Sequence, residues 1–129
     1  MGLFGKTGWF AKRHAKRLAE LRSRLYAAQA QLPYLLASRD SLNLSVALVS
    51  GKMDRQDASF APEEVKLLDH FFNPEPASFH PALALHRLDD ALDELYRREQ
   101  AVRHARTTIA SLRRRLGLDP EDLLGPHNH

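Results

Sequence analysis

From Ala11 onward, apolar side chains recur at alternating intervals of three and four residues. Ala11, Leu18, Leu25 and Leu32 share one position of a seven-residue cycle, and His14, Leu21, Ala28 and Leu35 share the other. That spacing draws a stripe along an α-helix and is the pattern of a coiled-coil or bundle seam. The register runs on through Leu42, Val46 and Val49, interrupted by Arg39. Pro33 lies inside it and lacks an amide donor, so a kink or short break is expected near Gln31–Leu32. Residues 41–50, SLNLSVALVS, also alternate at period two, as a strand would. A lone strand needs a pairing partner and the chain offers no second candidate, so this segment is assigned to helix.

The pattern lapses over 51–60, which reads as a loop. APEEVKLLDHFF then carries a helix start, with Pro62 in the first turn and Glu63 and Glu64 near the positive end of the dipole. Val65, Leu68, Phe71 and Phe72 make it one-sided, and Asn73-Pro74 stops it. From Pro81 to Leu116 a second long stripe is predicted. Leu85, Leu88, Leu92, Leu95, Val102, Ala105, Ile109, Leu112 and Leu116 hold one face, Glu99 is a polar gap, and Gly117 is the expected stop.

Two long helices that each carry one narrow stripe must bury those stripes to be stable. The expected fold is therefore all-α: a long antiparallel helical hairpin, coiled-coil-like, with a short third helix, bundling in an oligomer. Its parts are a Gly/aromatic N-terminal arm over 1–10, a single helical-hairpin domain over 11–117 and a short tail over 118–129. Three glycines among the first eight residues favour an extended arm over a helix there.

Composition narrows the chemistry. The chain of 129 residues has no cysteine, which removes thiol catalysis, disulfides and thiolate metal sites. No apolar run nears the ~20 residues of a membrane-spanning helix, and the opening lacks the apolar core of a secretory signal. The expected location is cytoplasmic or within a soluble, virion-type assembly. Net charge is only +3, but it is unevenly distributed. Residues 1–32 hold seven Lys/Arg against Glu20, and residues 97–116 hold seven Arg against Glu99. A hairpin brings these two basic blocks to one pole.

Those cations support three functions. As a seam, Leu18, Leu21, Leu25 and Leu32 face Leu88, Leu92, Leu95, Val102, Ile109 and Leu112, and the protein self-associates into a larger assembly. Leu3, Phe4, Trp9 and Phe10 then form a docking arm. As a nucleic-acid binder, it contacts phosphate backbone through Lys12, Arg13, Lys16, Arg17, Arg103, Arg106, Arg113, Arg114 and Arg115. No zinc-finger spacing, RNP-type aromatic motif or helix-turn-helix accompanies them, so base readout is not expected. As a membrane-surface coiled-coil protein, it loses liposome binding when Leu3–Phe10 are removed.

Other groupings add little. His86, Asp90 and Asp93 lie on neighbouring helical turns and include metal-ligand types, yet the expected pairs Asp93–Arg97 and Glu94–Arg98 read as surface ion pairs. His14 falls on a seam position, His70 precedes two phenylalanines, and His127 and His129 flank Asn128 in the tail. No serine sits in a nucleophile-elbow context. The sequence thus predicts no enzyme, no cofactor, no metal and no small-molecule substrate. It predicts a non-enzymatic assembly or adaptor subunit whose partner is protein.

Overall fold

The computed structural model describes residues 2–75 and 77–122, and the side chains among them from residue 8 onward. Every regular element among the described residues is helical. In chain order these are α1 (Gly2–Asp54), α2 (Pro62–Leu67), a 3-10 turn (His70–Phe72), α3 (Pro81–His86) and α4 (Leu88–Arg115). The all-α expectation holds, and residues 41–50 are helix rather than strand.

Several boundaries differ from the sequence reading. α1 takes in the glycine-rich start, where an extended arm was expected, and continues to Asp54 through part of the expected loop. Each glycine lowers helix stability by about 1 kcal/mol without forbidding the conformation. Pro33 does not end α1 either. Its ring forgoes one bond, to the carbonyl of Gln29, while Leu32 beside it is almost fully buried. Burying a leucine is worth roughly 1.5–3 kcal/mol, enough to offset much of that local loss.

The predicted helix over 62–72 divides in two. Ala61 donates its amide to the Glu64 carboxylate at 2.9 Å, closing the start of α2. Leu68 and Asp69 then turn extended, and Asp69 accepts from the Phe71 amide at 2.9 Å to cap the 3-10 turn. Asn73 closes that turn in the left-handed region, where asparagine is tolerated. The long helix predicted from Pro81 is interrupted at Arg87, whose amide is shared between the carbonyls of Leu83 and Ala84. Gly117 is the stop expected of it, with φ at +73°. Leu118 donates its amide to the Arg113 carbonyl at 2.8 Å, and Gly117 donates to Arg114 at 3.1 Å. These are the two bonds of a Schellman cap, which a left-handed glycine permits.

The chain packs as two compact units. The first joins residues 1–33 to residues 103–129, and its buried apolar side chains are Leu21, Leu25, Leu32, Ile109 and Leu112. The second is residues 34–102. Its core is Leu42, Val46 and Val49 of α1, Leu68, Phe72, Ala84 of α3, and Leu88 and Ala91 of α4. Phe60 and Phe79 pack against this core and meet edge to face at 5.6 Å.

Most predicted stripe positions are covered, with three exceptions. Ala11 and His14 are exposed, so the buried line of α1 begins with half-buried Leu18. Leu92 is 48% exposed, and Ala91 is buried instead. Covered positions 88, 91, 95, 98, 102, 105, 109 and 112 of α4, continued by Leu116 just beyond it, make an unbroken three–four alternation whose polar member is Arg98 rather than Glu99.

Candidate docking surface

In the first unit, the start of α1 is bare. Residues 8–17 are all exposed, and Leu21 is the first buried side chain described in the helix. Trp9 and Phe10 are 54% and 61% exposed, and their rings meet edge to face at 4.9 Å. One helical turn on from Trp9, the Arg13 guanidinium lies 5.2 Å from the indole ring. A cation over an exposed aromatic face gains about 0.5–1 kcal/mol and fixes both groups. Arg13, Lys16, Arg17 and Glu20 line a shallow concavity beside them. The side chains of Leu3 and Phe4, the other members of the expected arm, lie outside the described residues, as do His127 and His129.

Arg22 and Arg24 of α1 are exposed as well, and the end of α4 supplies further cations of this unit. Arg103, Arg106, Arg114 and Arg115 are exposed. Arg106 and Arg114 flank Ala110 in a groove closed by Thr107, Pro120 and Glu121. Arg113, predicted as a phosphate contact, is 6% exposed and engaged internally. It donates through Nε to the Asp119 carbonyl, and its guanidinium lies 3.7 Å from the Asp122 carboxylate. Arg113 therefore holds the turn after the helix in place.

The two units differ in how their charges are balanced. Residues 1–33 and 103–129 together carry twelve Lys/Arg against four Asp/Glu, a balance of +8. Residues 34–102 carry seven against twelve, a balance of −5. Among the described residues, Lys12, Arg13, Lys16, Arg17, Arg103, Arg106, Arg114 and Arg115 form no ion pair. Cations left uncompensated at a surface raise the local potential and attract anions.

The second unit pairs most of its own cations. Arg98 forks onto Asp69 at 2.9 and 3.0 Å, with Ser41 donating to the same carboxylate at 3.0 Å. Arg98 also donates to the Ser38 carbonyl at 2.9 Å and lies 3.4 Å from Glu94. Burial opposes the charge on Asp69, but the hydrogen bonds from Arg98, the Phe71 amide and Ser41 outweigh it and hold the carboxyl below its ordinary value. Buried Ser45 accepts from the Asp69 amide at 2.7 Å and donates within reach of the Ser41 and Leu67 carbonyls. Lys52, also buried, reaches Glu64 at 3.0 Å and Asp57 at 3.4 Å, with the Phe60 ring 5.4 Å away. Arg87 donates to the Phe71 carbonyl and stacks over that ring. Arg97 pairs with Glu94 at 3.0 Å, where Asp93 was expected. Like Asp93, Asp89 and Asp90 are exposed.

Among the described residues no three His, Asp or Glu side chains gather where they could hold a metal ion, His86, Asp90 and Asp93 included. No described helix is long and apolar enough to cross a membrane. The expected pair Glu94–Arg98 is present at 3.4 Å, but the sequence reading missed that Arg98 also meets Asp69. The three–four count from Leu95 to Val102 lands on Arg98, but nothing in the sequence signals which carboxylate it meets 29 residues away. Neither a family model, a curated protein nor a solved structure matches this chain.

Proposed function

We propose that this protein is a non-enzymatic assembly or adaptor subunit, built as an antiparallel helical hairpin that self-associates in coiled-coil fashion. The observation that carries the reading is the exposed pair Leu92 and Tyr96, one turn apart on α4 and 48% and 63% exposed. They lie beside a buried line with strict three–four spacing, and a second helix laid along that side covers them without disturbing the fold. Tyr26 and Tyr34 give α1 exposed aromatic positions two turns apart. The aromatic start of α1 is then a second contact, by which the assembly docks on something larger.

The test is solution mass by light scattering at low and high salt, on protein freed of nucleic acid. A discrete oligomer that persists at both salts is expected, because apolar contacts are not screened. A monomer at both salts overturns the reading.

A second reading, contact with a phosphate backbone, is favoured by the exposed cations of the first unit that form no ion pair among the described residues. Its mark is affinity for single- or double-stranded nucleic acid that falls steeply with salt, with little dependence on sequence.

A further inference from the structure

We infer that the start of α1 is a docking helix for an anionic lipid surface. The argument begins with continuity. As an extended arm, residues 1–8 would hold their bulky groups apart from the cations that follow. The helix instead begins at Gly2, so Leu3, Phe4, Trp9 and Phe10 belong to the same helical segment as Lys6, Lys12, Arg13, Lys16 and Arg17. No acidic residue occurs before Glu20.

The described side chains of the segment are also uncovered. Residues 8–17 bury no side chain. An isolated helix of this length is marginal in water and acquires stability by laying its surface on something else. Its composition, few acids, many cations and bulky aromatics, is that of helices that lie in the interface of a bilayer. Trp9 suits the headgroup region because its ring is apolar and its N–H is a donor.

Charge decides among occupants. A second copy of the same segment would set four described cations against four, a repulsive arrangement. A nucleic-acid backbone would satisfy Lys12, Arg13, Lys16 and Arg17 but leaves no role for the exposed Phe10 or for Leu3 and Phe4. A membrane carrying acidic headgroups satisfies both sets: the cations and Trp9, with Arg13 over its ring, meet headgroups while Phe10 enters the acyl boundary. This docking does not depend on self-association and can stand or fall apart from it.

Trp9 is the single tryptophan of the chain, so intrinsic fluorescence reports on this site alone. The experiment titrates the full-length protein with phosphatidylcholine vesicles, with and without phosphatidylserine, following Trp9 emission and co-sedimentation. A blue shift with the anionic vesicles is expected, and binding to them about tenfold or more above binding to neutral vesicles, since each basic residue near the surface adds appreciably. Lys16→Glu with Arg17→Glu should remove that preference, and Phe10→Ser should weaken binding to anionic vesicles several-fold. Both variants should keep the far-UV circular dichroism of the parent. Equal binding to both vesicle types overturns the proposal, as does no binding to either. It falls equally if a single-stranded oligonucleotide quenches Trp9 while vesicles leave it unchanged. Light scattering without lipid reports on self-association separately, so failure of one reading is not mistaken for failure of the other.

Discussion

Asp69 and Arg98 lie 29 residues apart in sequence and meet through two parallel hydrogen bonds of 2.9 and 3.0 Å. The planar guanidinium matches the carboxylate edge for edge, a geometry lysine lacks. Asp69 also caps the 3-10 turn and accepts from Ser41, while Arg98 continues to the Ser38 carbonyl. One ion pair thereby joins α1, the 3-10 turn and α4 within the second unit.

Breaking that pair strands a charge in a partly covered site. Arg98→Ala is expected to destabilise the protein by about 2–3 kcal/mol, the cost of losing charge-assisted hydrogen bonds. Arg98→Lys should recover only part of it. Urea unfolding monitored by circular dichroism measures both, and Arg98→Ala with unchanged stability would remove the pair from the account of the fold. Acid should have a related effect. Because the folded carboxyl of Asp69 is held below its ordinary value, its stabilisation is complete above about pH 4 and is lost as pH falls through the lowered value. Asp69→Asn should therefore flatten the acid limb of the stability profile.

Gly117 and Gly8 should respond oppositely to alanine. Gly117 is left-handed at +73°, so a Cβ is strained there although space around it is open. Gly117→Ala should cost about 1 kcal/mol and loosen the Schellman cap. Gly8 lies within α1, also with open space around it, and Gly8→Ala should add helicity worth about 0.5–1 kcal/mol. Thermal melts and far-UV circular dichroism separate the two; a stabilising Gly117→Ala would contradict the cap.

Leu32 and Leu92 test fold against association. Leu32 is 1% exposed and Leu32→Ala should cost roughly 2–5 kcal/mol through lost burial and the cavity left behind. Leu92, half exposed, should tolerate alanine within ~0.5 kcal/mol in the melt of an isolated chain. If the assembly reading is right, Leu92→Ala nevertheless weakens the oligomer. Sedimentation velocity on the two variants gives the comparison, and an oligomer indifferent to Leu92→Ala and to Tyr96→Ala would exclude this side of α4 as its interface.

What was legible in the sequence was periodic. The stripe from Leu18 to Val49 follows from 3.6-residue geometry, as does that from Leu88 to Leu116 except where Ala91 and Arg98 replace Leu92 and Glu99, and Gly117 announces its own conformation. The breaks were less legible because each depends on a tertiary partner. Leu68 and Asp69 leave the helix to meet Ser45 and Arg98, and Arg87 interrupts the long helix where its side chain reaches Phe71. Pro33 does not break α1, since a proline penalty read locally takes no account of Leu32 buried beside it. The exposed cations of the first unit were legible as charge: the basic blocks are plain in the sequence. That Arg113 would be withdrawn from them depended on a turn closed by the Asp119 carbonyl, which no residue spacing encodes.

Asp57 offers a titration that tests local geometry alone. Ser59 donates both its hydroxyl, at 2.6 Å, and its amide, at 3.0 Å, to one carboxylate oxygen. These bonds, with a lesser contribution from Lys52, draw the carboxyl down to about 2. The bonds stabilise the ionised form, so their contribution is complete above the ordinary carboxylate value and disappears as pH falls through about 2. Carbon-detected NMR of the side-chain carboxyl should show a midpoint near that value in the parent protein. Ser59→Ala removes the hydroxyl and keeps the amide, so its midpoint should lie between the parent's and an ordinary aspartate's. Lys52→Met should move it less, because the Lys52 ammonium is the more distant partner at 3.4 Å. A larger shift in Lys52→Met than in Ser59→Ala would mean that the ion pair, and not the Asp57–Ser59 turn, sets the charge at the end of α1.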